Sequence, residues 1–182
     1  MSSLRVFLIG GAIAYRALFN WVHPAMYIPT LIGAPLFQIL FFAYLGRFAG
    51  LESDAFFVVG NAVQACGMAS IYGMTMAIAN DRWFGTLAPL LATPARRLPL
   101  FLGRALPFVV SGLVVSAFGL AAGRLLLRFD PPREALPALA LVVVVTVVSC
   151  TSFGLVLGSL GLAARDVYLI ANVAYFLMLL LC

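Results

Sequence analysis

From Leu136 to Ala164 the chain runs twenty-nine residues without one charged side chain. A helix needs about 20 mostly apolar residues to cross the hydrocarbon core of a bilayer. Three earlier segments are nearly as apolar, Met26–Phe48, Ala55–Ala79 and Ala105–Leu127, and a fifth begins at Val167 and runs to Cys182. Charged residues make up 9% of the 182 residues and hydrophobic ones 64%, where a soluble domain carries about 25% charged. So little charge cannot cover a water-facing surface. In lipid the backbone must satisfy its own hydrogen bonds, so the expected fold is an all-α, polytopic membrane bundle forming one domain over 1–182.

The fifth segment, 167–182, rises only about 24 Å as a helix, short of a hydrocarbon core about 30 Å thick. The expectation is therefore a bundle stopped inside its fifth span. Residues 1–25 read differently. "RVFLIGGAIA" has the outline of a signal peptide, but another apolar span follows at once. On a helical wheel Arg5, Arg16, Asn20 and His23 share an arc, and Leu4, Phe7, Leu8, Tyr15, Leu18, Phe19 and Val22 cover the other side. That pattern predicts an amphipathic helix lying in the membrane interface, with Trp21 at headgroup depth and Pro24 marking the turn into the first span.

Orientation follows from the arginines, which supply all eleven basic residues. With the N-terminus inside, the inner segments carry Arg5, Arg16, Arg82, Arg96, Arg97, Arg104 and Arg165. The outer side carries Arg47, Arg124, Arg128 and Arg133. The excess favours a cytoplasmic N-terminus, in an integral membrane protein expected in the bacterial cell membrane. Scattered singly at the ends of apolar runs, these arginines do not suit nucleic acid. The absence of lysine excludes a P-loop and Schiff-base chemistry.

Catalysis needs clustered titratable groups. The six acids, Glu52, Asp54, Asp81, Asp130, Glu134 and Asp166, lie near span ends or in loops, and His23 is the one histidine. No set has metal-ligand spacing, no nucleophile has a base beside it, and Cys66, Cys150 and Cys182 are far apart in apolar runs. The sequence therefore predicts no enzyme, no metal and no cofactor in this chain. Ion-coupled transport is disfavoured because no acid is mid-span. The polar residues inside the spans are Gln38, Asn61, Gln64 and Asn172. They either line a substrate path or bond neighbouring helices. Ala69–Gly73, Gly119–Gly123 and Gly154–Gly158 have the small-residue spacing that lets helices approach closely, within a bundle or across a dimer.

One stretch interrupts the apolar pattern. "NDRWFGTLAPLLATPARR", Asn80–Arg97, holds four charged residues around a mostly apolar middle. Thr86 is placed to N-cap a short helix after Gly85. Pro89 falls at the third helical position, where no N–H is needed. Leu87, Leu90 and Leu91 form one apolar face, and Pro94 ends the helix with Thr93 pushed toward an extended shape. Two turns of helix are not stable alone. The element must rest on the membrane or fit a groove on a partner.

"DRWFGTLAPLLATP", followed by "FLGR", resembles the membrane subunit of type-2 ABC exporters. The carrying residues are Arg82, Gly85, Thr86, Leu87, Leu90, Leu91, Thr93 and Pro94, then Leu102, Gly103 and Arg104. The N-terminal amphipathic helix and "GAPLFQILFFAYLG" with Pro35 fit as well, and the resemblance covers essentially the whole chain. It implies six spans, so that this chain would lack the last. Two such subunits would form a pore for a hydrophobic or amphipathic substrate such as a drug, a lipid or a lipid-linked glycan. A cytoplasmic ABC ATP-binding subunit would hold ATP and magnesium, and Gly85–Pro94 would be the coupling helix seated in its cleft. Asp81, Arg82, Arg96 and Arg97 would flank that contact. The family usually has an acid after Gly-Thr-Leu, where this chain has Ala88 and Pro89. A membrane structural or interaction protein without transport activity, or a non-functional fragment, is the alternative.

Overall fold

The computed structural model describes residues 3–21, 24–50, 54–94, 96–128, 130–163 and 167–181. Among them the fold is all-α, a membrane helical bundle. The helices are α1 (Ser3–Trp21), α2 (Pro24–Phe48), α3 (Asp54–Trp83), α4 (Leu87–Ala92), α5 (Arg97–Leu127), α6 (Leu136–Ala163) and α7 (Val167–Leu181). A single 3-10 turn, Arg133–Ala135, leads into α6. Helices α3, α5 and α6 are long and apolar enough to cross a membrane, and α2 carries a shorter apolar stretch, Ile32–Phe48.

Helix α3 is the axis of the bundle. It packs against α2, α5, α6 and α7, and α1 lies along α5. Small residues set these seams. A Cβ on Gly154 would sit 2.7 Å from the Ile71 carbonyl oxygen, so α6 touches the backbone of α3 there. Gly119 and Gly123 of α5 receive Ala62 and Val58 of α3, while Gly158 receives Ile78. The small-residue pairs in these helices are thus used inside the bundle. Around them lie buried Ile39, Val58, Ile71, Met74, Val115 and Val147. The outward faces stay apolar (Val142, Val144, Val145, Val148 and Val156 on α6 are all exposed), as a lipid-facing surface requires.

Helix α1 docks on α5 through a glycine face. Its buried residue is Gly11, pressed against Leu106 and the Gly103 carbonyl, while Gly103 meets the backbone of Phe7. Pro107 has no N–H to donate to the Gly103 carbonyl one turn earlier, and that oxygen lies beside Gly11. Among the described side chains Arg5, Arg16, Leu4, Leu8 and Tyr15 are exposed and Phe7 turns partly inward. A close backbone seam, absent from a hydrophobicity pattern, decides which face docks. The side chains of Leu18, Phe19, Asn20, Trp21 and Pro24, together with Val22 and His23, lie outside the described residues.

Two helix ends differ from the sequence reading. Helix α3 runs four residues past Ala79, through Asn80, Asp81 and Arg82 to Trp83, and α5 begins at Arg97 rather than Ala105. Much of the polar interruption is therefore helical, and Arg104 lies within α5.

Candidate functional site

Helix α3 ends in a tight turn. The Phe84 N–H bonds the Asn80 carbonyl at 2.9 Å and the Gly85 N–H bonds the Arg82 carbonyl at 3.2 Å. Gly85 has φ of +66°, the left-handed conformation that glycine adopts without a Cβ penalty at a helix C-terminus. The chain then turns directly into α4. Its closing geometry follows the local rules: Thr93, before Pro94, is extended at φ −69° and ψ 144°, and its hydroxyl donates to the Leu90 carbonyl at 2.8 Å.

The start of α4 departs from expectation. Thr86 occupies the N-cap position but has helical backbone angles, φ −80° and ψ −16°, and its side chain caps nothing in its own helix. Its hydroxyl donates backward instead, to Asp81 Oδ1 at 3.1 Å, with the Asp81 carbonyl at 3.3 Å. A capping side chain accepts from the N–H groups of its helix out of an extended backbone; the backbone of Thr86 is helical instead, and its O–H donates to the carboxylate.

Asp81 itself is buried, at 7% exposure. Its Oδ1 accepts from Arg104 Nη2 of α5 at 2.5 Å, so one carboxylate oxygen holds both Thr86 and Arg104. Oδ2 is buried without a hydrogen-bond partner, as is Oδ1 of Asn80. Arg82, the next residue, points elsewhere. Its Nη1 donates to the Leu162 carbonyl at 2.7 Å, capping the last turn of α6, where orphan carbonyls welcome a cation. Asp81 and Arg82, read from sequence as partner contacts, are thus engaged within the bundle.

Helix α4 contains no buried residue. Leu87 and Leu90 are half-buried, whereas Leu91 is 41% exposed, beside exposed Ala88, Pro89 and Ala92. The leucines expected on one face therefore divide, two turned partly inward and one outward. The outward surface of α4 is uncharged. Around it stand exposed Trp83, Phe84, Thr93, Pro94, Arg96, Arg97 and Leu98. Trp83, Phe84 and Leu98 formed no part of the sequence reading, although their position on either side of the leucine motif was a signal.

The mid-span polar residues fall into two groups. Gln38 of α2 donates through Nε2 to Gln64 Oε1 of α3 at 2.9 Å, which joins those two helices. Asn61 is buried and donates to the Phe57 carbonyl of its own helix at 2.8 Å. Asn172 is exposed on α7.

Residues 11–182 match the ABC-2 type transporter family. No curated protein and no solved structure matches the chain. The family works within an ABC transporter system that includes an ATP-binding partner. An integral membrane bundle that carries a short exposed helix between two spans, and matches over 11–182, is the membrane component of such a system: the chain belongs to the ABC-2 type transporter family.

Proposed function

We propose that the chain is the permease subunit of an ATP-driven exporter and that Gly85–Pro94 is its coupling helix. The observation that carries this reading is the exposed, uncharged outer face of α4, presented on a turn rooted in α3. A helix of six residues without a buried side chain has no folding reason to exist alone. Seated in a cleft of a cytoplasmic ATP-binding subunit, it gains the burial it lacks. Leu91, Ala88 and Pro89 make the apolar contact, and Thr93, Pro94, Arg96 and Arg97 flank it. Ala88 and Pro89 stand where relatives carry an acid, so docking depends on apolar burial and on the arginines. Gly85, Thr86, Leu87 and Leu90 shape and hold the element, and Asp81 and Arg82 anchor it from within the bundle.

In this account the N-terminus and α4 are cytoplasmic, ATP and magnesium are bound by the partner, and two permease copies, identical or sister chains, enclose the path. The cargo is hydrophobic or amphipathic. Gln38, Asn61, Gln64 and Asn172 are the polar groups available along the spans, and of these four Asn172 is the exposed one.

The test is co-expression with the ATP-binding subunit encoded beside it, followed by affinity purification. Leu91→Asp, at an exposed position, should leave the permease folded and in the membrane while removing the ATP-binding subunit from the eluate. Full recovery of the complex with Leu91→Asp would contradict the docking role of α4.

A further inference from the structure

The turn that carries α4 looks weak. Only Phe84, Gly85 and Thr86 separate it from α3, a Cβ on Gly85 would meet nothing within 4 Å, and α4 buries no residue of its own. Such a joint would fold up under a push and absorb it. One side chain opposes this. Asp81 Oδ1 takes the Thr86 hydroxyl, bridging the turn from the last helical segment of α3 to the first residue of the α4 arm. The same oxygen takes Arg104, two turns into α5, the helix that the chain enters on leaving α4. Both chain exits from α4 therefore converge on a single atom.

Folding alone does not explain the choice of residues. A buried ion pair is often replaceable by apolar side chains of similar volume without loss of stability. This one also leaves Oδ2 of Asp81 buried and without a donor, a cost that an apolar residue would avoid. What a carboxylate supplies, and an apolar residue does not, is directional bonds to two elements at once.

We propose that Asp81 is a positioning residue whose carboxylate locks α4 to the ends of α3 and α5, so that a push on α4 moves those helices instead of bending the Phe84–Gly85 turn. The inference rests on the reading of Gly85–Pro94 as the coupling element, but it concerns rigidity and needs no ATP-binding partner for its test. Failure of the lock and failure of docking are therefore separable.

The experiment is a double electron–electron resonance distance measurement on the full chain in lipid nanodiscs, in a background with Cys66→Ala, Cys150→Ala and Cys182→Ala. Spin labels go on Ala88→Cys in α4 and Val114→Cys on the exposed face of α5. With the lock intact a single narrow distance is expected. Thr86→Val, which keeps the shape and removes the hydroxyl, should lose it, and Thr86→Ser should restore it. Asp81→Leu, which removes the side-chain acceptor, should lose it as well. The proposal is overturned if Thr86→Val stays narrow, or if Thr86→Ser is as broad as Thr86→Val. It is also overturned if folded Asp81→Leu stays narrow, since the Thr86 hydroxyl would then be acting through the main-chain carbonyl of residue 81 alone.

Discussion

Asp81 and Arg104 show how a charged pair survives at the end of an apolar bundle. Their side chains retain 9% and 18% of their exposure, so neither is free to shed its partner into water. Removing one leaves a buried, unpaired charge, a loss of about 3 kcal/mol, at the low end for such pairs because Arg104 keeps some solvent. Asp81→Leu should therefore lower the thermal unfolding midpoint in detergent, and adding Arg104→Met should recover most of the loss. A double variant as unstable as the single one would mean that the pair does not act as a unit. The pair was half legible beforehand. Asp81 and Arg104 stand at the facing ends of consecutive spans and have opposite sign, but spacing alone does not say which way a side chain turns. Thr86 was misread for a related reason. Local rules assign it a capping role, but its backbone is helical, and its hydroxyl donates to the buried carboxylate five residues earlier.

Among the elements, the spans were the easiest to read and their ends the hardest. Long apolar runs fix where helices lie, because no other structure satisfies the backbone in lipid. Polar residues at a run's end say little about stopping. Helix α3 continues through Asn80, Asp81 and Arg82 because Arg104 pairs with Asp81 and the Leu162 carbonyl accepts from Arg82. The seams between elements depend on single glycines, which a composition-based reading cannot rank. Gly154→Ala places a methyl 2.7 Å from the Ile71 carbonyl oxygen of α3, an unyielding main-chain atom. It should reduce the folded yield and the unfolding midpoint. Gly33→Ala, where nothing lies within 4 Å, should leave both unchanged or slightly raised. Equal tolerance at the two positions would show that the α3–α6 contact is looser than its geometry implies.

The whole molecule is arranged around α3, which touches four other helices and ends at the joint that carries α4. Membership of the ABC-2 type transporter family places this arrangement in an ABC transporter system, which includes an ATP-binding partner. The proposed response begins at the exposed face of α4. It passes through Asp81 to α3 and α5, and through the Arg82 bond to the end of α6. The family was legible from the Gly85–Pro94 motif and its surroundings. The Arg82 bond was not, because Leu162 is remote in sequence from the residue it holds. The most direct test of the central claim is photo-crosslinking in intact membranes, with p-benzoylphenylalanine replacing Leu91 on α4 and, separately, Val145 on the lipid-facing side of α6. The account predicts an adduct with the ATP-binding subunit from position 91 and none from position 145. An ATP-binding subunit captured from neither position, or equally from both, would contradict it.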